Sequence, residues 1–225
     1  MWLPDPENVI RTRVSRPGGM AALRMLLELS HKAAPGPSPS FTTPHILLAF
    51  MTIAGSSYVG RQSLARQSGL GEGAIRTILK KLKEEGYVAI TRSGCYLTHS
   101  GRQMDRAIHS SMSAFALVPG SDLTMGEKQV ALVIRGAGGR VRSGIEQRDS
   151  AIRTGASGAT TYVMRVGRFT VPGGSSDCER DFPSGTWPRL RSELRPKNGD
   201  AVILCGAKDD VLAKLGVLSA AITLL

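Results

Sequence analysis

The chain has 225 residues and a mass of 24.0 kDa, enough for one large domain or two of ordinary size with cores of their own, and two are expected. Lys and Arg number 29 against 18 Asp and Glu, a formal net charge of +11 with a pI near 10.1, which favours a polyanionic partner such as nucleic acid. Cys95, Cys178 and Cys205 are odd in number, far apart and without C-x-x-C or His spacing, which argues against a disulfide framework and a zinc site. No apolar run reaches the roughly 20 residues that span a bilayer, and MWLPDPENVI lacks the basic-then-apolar order of a signal peptide, so an intracellular, cytoplasmic protein with no membrane partner is expected.

The charge is uneven along the chain: residues 1–112 carry 14 basic and 7 acidic side chains, residues 113–225 carry 15 and 11. Residues 1–19 are polar, broken by Pro4, Pro6, Pro17, Gly18 and Gly19, and read as loosely ordered. From Met20 to Ala33 the apolar residues Met20, Leu23, Leu26, Leu27 and Leu29 recur near helical spacing, which predicts a helix cut off by APGPSPS at 34–40. Residues 1–40 therefore read as an N-terminal extension, partly helical or disordered, in which Met20 and Met25 offer alternative starts. Thr43 followed by Pro44 predicts a helix opening, Thr43 as N-cap and Pro44 at the first helical position. The next residues, HILLAFMTIA, are apolar on nearly every side, so neighbours must cover the helix all round.

RQSLARQSGLGEGAIRTILK, residues 61–80, meets the packing demands of a helix-turn-helix. Leu64 and small Ala65 stand where two helices cross closely, and Gly69 stands where the first helix must stop in a left-handed conformation. Ile75, Ile78, Leu79 and Leu82 recur at i, i+3, i+4 and i+7 on the inward face of the second helix. An ordinary helical hairpin meets the same rules, and the next segment of the chain decides between them. Gly86 ends the second helix, YVAI and CYLT are β-prone around a TRSG turn, and Thr98 can cap a further helix at SGRQMDRAI. A helix, a helix-turn-helix and a two-stranded hairpin in that order form a winged helix, over residues 41–112.

The inward face leaves Glu72, Gly73, Arg76, Thr77, Lys80 and Lys83 outside, and the N-terminal half of such a helix reaches base edges. Arg76 suits a bidentate contact to guanine, Thr77 a base or a phosphate, and Lys80 and Lys83 the backbone. Gly73 allows close approach. Arg61 and Gln62 begin the preceding helix, whose free N–H groups can hold a phosphate, and Arg92 at the hairpin tip can enter the minor groove. A solvated surface charge is the competing reading for each.

From about Ser113 the pattern changes. SAFALV, KQVALVIRG, TTYVMRVGRFTV and DAVILCG read as strands; VRSGIEQRDSAIRTG, WPRLRSELR and DDVLAKLGVLSAAITLL read as helices. Irregular alternation suits a small α+β sandwich over residues 113–225, a mixed sheet with helices on one face, with residues 172–185 as an exposed loop. A strand running into Gly138, Gly139 and Arg140 before a helix could cradle an anion on free N–H groups, with Arg140 and Arg142 adding charge, although glycines at strand ends are more often just turns. Within the helix Ile145, Ala151 and Ile152 are expected to face the sheet. Asp149 and Arg153 make an i,i+4 pair that stabilises the helix; the rival reading is a ligand pocket in which Glu146, Arg148 and Asp149 contact an effector, with Gly158, Thr160 and Thr161.

GRQSLARQSGLGEGAIRTILKKLKEEGYV, GCYLTHSG and GGRVRSGIEQRDSAIRTGASGATTYV together resemble archaeal winged helix-turn-helix transcriptional regulators that carry a C-terminal domain of unknown function, over about residues 41–225. The resemblance implies a transcription regulator whose second domain has a small α+β fold, for effector binding or self-association; the first forty residues depart from the pattern. The function expected is sequence-specific binding of double-stranded DNA by a homodimer whose C-terminal domain senses a small molecule, with no cofactor and no metal. The alternative is a winged-helix docking module for RNA or protein. An enzyme acting on a phosphorylated metabolite at Gly138–Asp149 is a third reading, and catalysis is not expected. His31, His45, His99 and His109 all lie in the N-terminal half, and no Ser or Cys has a triad context.

Overall fold

The computed structural model describes residues 18–30 and 40–225; the expectations for residues 1–17 and for most of the 34–40 linker fall outside the described residues. Helix α1 (Gly19–Glu28) is shorter than its apolar pattern predicts. It is built into the fold, with Leu23 and Leu26 fully buried. Helix α2 (Thr43–Ala54) takes Thr42, not Thr43, as N-cap, one residue earlier than expected. The reason is His45: its Nδ1 accepts the Thr42 N–H at 3.1 Å, so a histidine does at N3 what Glu or Gln does in a capping box and pulls Thr43 into the helix.

Helices α3 (Arg61–Ser68) and α4 (Glu72–Glu84) are joined through Gly69 in the left-handed conformation (φ 66°). Strands β1 (Val88–Thr91) and β2 (Gly94–Leu97) pair antiparallel, Val88 opposite Leu97, and Val59 adds an antiparallel bridge to Cys95. Helix α5 (His99–Ser111) starts where the Thr98 hydroxyl accepts the Gly101 N–H at 3.0 Å. It packs on α1 so closely that a Cβ on Gly19 would lie 2.4 Å from the Ala107 carbonyl. The order helix, helix-turn-helix, hairpin is the winged helix anticipated.

The C-terminal part comprises β3 (Ala116–Val118), β4 (Lys128–Ile134), a 3-10 turn at Gly138–Arg140, α6 (Ile145–Arg153), β5 (Gly158–Arg165), β6 (Arg168–Thr170), α7 (Cys178–Asp181), α8 (Thr186–Leu194), β7 (Ala201–Ala207) and α9 (Asp210–Ile222). Its five strands run in the order β3-β4-β7-β5-β6, and every pairing is antiparallel, so the α+β expectation holds while the sheet is not mixed. The central β7 is buried at all seven residues because both of its faces are covered, a pattern that the sequence shares with buried parallel strands. Helices lie on both faces rather than on one. Val130, Leu132, Ile203 and Cys205 face α6 and α9; Val133, Tyr162, Val202 and Leu204 meet Trp187, Leu190 and Leu194 of α8. Residues 172–185, expected to be an exposed loop, contain α7, whose Cys178 is fully buried against the α8 face.

Helix α9 carries the architecture. Ala213, Leu215, Val217, Leu218, Ala220 and Ala221 are buried on successive sides, because one side meets the sheet, another α6, and a third α2 of the winged helix. The two apolar helices cover one another, so one hydrophobic core runs from the winged helix to the inner face of the sheet.

Candidate nucleic-acid interface

In α4 the sequence separates its two faces sharply. Ile75, Ile78 and Leu82 are fully buried and Leu79 nearly so, over Leu64 of α3. Their position leaves Glu72, Gly73, Arg76, Lys80 and Lys83 exposed on the other side, as the spacing predicts. Thr77 is half-buried, and its hydroxyl donates to the Gly73 carbonyl at 3.2 Å, so it is turned onto its own helix rather than outward. Lys80 and Glu84 approach to 3.8 Å with both side chains largely in water, a contact too weak to hold the ammonium from a phosphate. Nothing lies within 4 Å of where a Cβ on Gly73 would stand, so the start of α4 offers bare backbone to a groove.

Arg61 and Gln62 are exposed on the first turn of α3, which has Gly60 as N-cap and no side-chain cap. The uncapped N–H groups there can donate to a phosphate oxygen. Arg92 is exposed in the turn between β1 and β2. The turn is tight: Gly94 has φ 133°, and a Cβ there would lie 2.8 Å from the Val59 carbonyl. The wing is thereby clamped to the stretch that leads into α3, which fixes Arg92 relative to Arg61 and Gln62.

Three further exposed or half-exposed groups, Arg66, Tyr58 and Tyr96, lie near this face. Arg66 stands in the last turn of α3, and Tyr58, 56% exposed, meets Tyr96 edge-on at 5.1 Å beside the wing. An aromatic between a connector and a β-prone segment gives no periodic signal; only the Val59–Cys95 bridge brings Tyr58 and Tyr96 together.

The effector residues expected in the C-terminal part do not converge. The N–H of Gly138 donates to the Gly199 carbonyl at 2.7 Å, that of Arg140 closes the 3-10 turn onto Ala137, and the Arg140 guanidinium donates to the Leu224 carbonyl at 2.6 Å. Of the anion cradle expected at Gly138, Gly139 and Arg140, the N–H groups of Gly138 and Arg140 are thus taken up by partners that the chain supplies itself. Glu146 and Asp149 line a depression of about 440 Å³ with Arg142 and Arg153. Arg148 and Thr160 line a separate, open one of about 920 Å³ with Ser121–Gly126, Ile152 and Gly158. Thr160 donates to the Leu123 carbonyl at 2.8 Å. Thr161 is buried under Gly144 and reaches neither depression. Asp149 pairs with its neighbour Arg148 at 3.2 Å instead of Arg153.

The phase of α6 also departs from expectation. Ile145 and Ile152 are 52% and 46% exposed, while Gln147 and Ala151 face inward. Gln147 Nε2 donates to the Thr223 hydroxyl at 2.7 Å, and Ser150 and Ser219 bond at 2.8 Å, so polar contacts tie α6 to α9.

Burial pushes all three cysteine thiols up, Cys205 to about 12. Burial holds His45 below the ordinary imidazole value, whereas the Asp105 carboxylate, 3.2 Å from His109 Nδ1, raises His109. Among the described residues no three His, Cys, Asp or Glu side chains group as metal ligands, and no helix is long and apolar enough to cross a membrane.

A helix-turn-helix with a wing, presenting guanidinium, ammonium and bare backbone on one side, defines a winged-helix DNA-binding domain joined to an α+β domain. Residues 47–112 match the family model described as the CggR N-terminal DNA binding domain, and residues 125–224 match DUF4443, a domain of unknown function. A hypothetical protein from Pyrococcus horikoshii OT3 has a similar fold, at 22% identity and a TM-score of 0.66, covering 81% of this chain and 92% of that one. No curated protein matches the chain.

Proposed function

We propose that the chain is a transcription regulator that binds double-stranded DNA sequence-specifically as a homodimer in the cytoplasm, and that its C-terminal domain senses a small molecule. The observation that carries the reading is the outer face of α4: Gly73, Arg76, Lys80 and Lys83 lie opposite a wholly buried apolar face, so the helix is held rigidly by one side and offered by the other. The family match over residues 47–112 supports DNA as the partner. In this reading Arg76 reads a base edge, Lys80, Lys83, Arg61 and Gln62 hold phosphates, and Arg92 reaches the neighbouring minor groove.

Two copies are favoured because paired half-sites are the usual way for a single recognition helix to gain affinity. One recognition helix reaches only about three or four base pairs, and paired half-sites supply the affinity and specificity that one lacks. For the effector, the open depression beside Arg148 and Thr160 is the better candidate, since it combines one cation, hydroxyls and the apolar Leu123 and Ile152.

The test is selection of genomic DNA fragments by the purified protein at about 0.15 M salt, where non-specific binding is weakened, repeated with Arg76→Ala. An enriched palindromic motif that the variant loses supports a dimeric, sequence-specific regulator. A motif retained by the variant refutes the assigned face. Equal affinity for duplex DNA and structured RNA, or none for either, points to a docking module instead.

A further inference from the structure

The C-terminal domain touches the helix-turn-helix at its sharpest bend. Gly69 stands in the left-handed conformation between α3 and α4, and a Cβ built on it would lie 3.1 Å from Cγ1 of Val211, in the first turn of α9. The next residue in that turn presses elsewhere: a Cβ on Gly155, between α6 and β5, would lie 3.2 Å from Cδ2 of Leu212. The turn itself is held by Asp209, whose carboxylate accepts the Leu212 N–H at 2.8 Å. Behind it α9 has no slack. A Cβ on Gly216 would lie 2.6 Å from Cys205 Sγ and 2.8 Å from Ala156 Cβ, so helix and sheet are already in close contact.

We propose that Val211 is a positioning residue for the recognition helix: its side chain sets the α3–α4 turn at Gly69, and through that turn the placement of α4. The inference rests on the reading of α4 as the helix that meets DNA. Side chains in contact pass a displacement on to one another, and here two adjacent, half-buried side chains of one helical turn bear on the α6–β5 loop and on the exposed turn of the helix-turn-helix. The open depression beside Arg148 is lined by Ile152 and Ser157–Thr160, from both sides of Gly155. Whatever moves that loop therefore reaches α4 through Leu212 and Val211.

The experiment uses the full chain as Val211→Ala, which removes both γ-carbons, and Val211→Thr, which keeps the branched shape. Native-state amide exchange is followed without DNA at Leu70, whose N–H bonds the Ala65 carbonyl, and at Ile75, whose N–H bonds the Gly71 carbonyl. Exchange at these two amides is expected to quicken about fivefold in the Ala variant, as befits loss of one partly buried contact, with the amides of β7 unchanged and the Thr variant restored. Affinity for the selected duplex is expected to fall by a similar factor, while binding to random duplex stays as it was. Unchanged exchange at Leu70 and Ile75, or a uniform rise that includes β7, overturns the proposal, because a merely structural Val211 would lower protection everywhere. If exchange responds as expected but the parent chain binds no duplex, the joint stands and the DNA reading of α4 falls.

Discussion

Replacing Gly73 with alanine moves stability and function in opposite directions. Gly73 is the second residue of α4, it has no left-handed φ, and nothing lies within 4 Å of the added Cβ, so the methyl meets no steric resistance in the free protein. Alanine in a helix is favoured over glycine by up to about 1 kcal/mol, chiefly because the unfolded chain loses freedom, and the first turn should yield about half of that. A chain of this size should then melt about 1–2 °C higher. Bound to DNA, the same methyl would occupy the space between the start of α4 and the base edges. Overfilling a close-packed contact costs about 1–3 kcal/mol, equivalent to a loss of about 5-fold to 150-fold in affinity. Urea denaturation followed by tryptophan fluorescence reads the first effect, and anisotropy of a labelled selected duplex reads the second. A gain in stability with undiminished affinity would take Gly73 out of the interface. A loss of stability would refute the open surroundings of its Cβ.

Lys80→Ala should weaken binding to every duplex alike and lower the slope of log affinity against log salt by about 1, since one phosphate contact is removed; an unchanged slope places Lys80 off the backbone. Gly94→Ala should cost about 3 kcal/mol in urea denaturation, because alanine is strained at φ 133° and its Cβ would stand 2.8 Å from the Val59 carbonyl; an unshifted midpoint would mean the wing is not clamped there. His109 gives a pH dependence. Its pKa is raised by the Asp105 carboxylate, so the stability it contributes is fully present below the unfolded imidazole value of about 6.5 and is lost as pH rises through the folded value. The gap in urea midpoint between the parent and His109→Asn should therefore be wide near pH 6 and closed near pH 9, and a gap independent of pH contradicts the pairing.

The helix-turn-helix was legible because its demands are local. Leu64, Ala65 and Gly69 answer to a single crossing, and the inward face of α4 repeats over two turns, so spacing alone placed Arg76 and Lys80 outside. The C-terminal site was not, because its outcome depends on residues far along the chain. Gly138 looks like an anion cradle until Gly199, sixty-one positions later, accepts its N–H. In α6 the seven-residue interval from Ile145 to Ile152 reads as an inward stripe, yet Gly216 brings α9 so near that only a side chain as small as Ala151, 3.6 Å from a Cβ on that glycine, fits between. Packing distance overruled hydrophobicity there, and the isoleucines turned out to solvent.

The shift in composition near Ser113 is not a break in the core. HILLAFMTIA and the α9 sequence each carry apolar residues all round, which says that a helix is covered without saying by what. Their answer is one another: Leu47, Phe50 and Ile53 of α2 share a core with Leu215 and Leu218 of α9. A winged helix parted from α9 would expose that side of α2 as an apolar surface. The C-terminal domain therefore has a physical role that needs no ligand, as the support for α2, on which α4 packs.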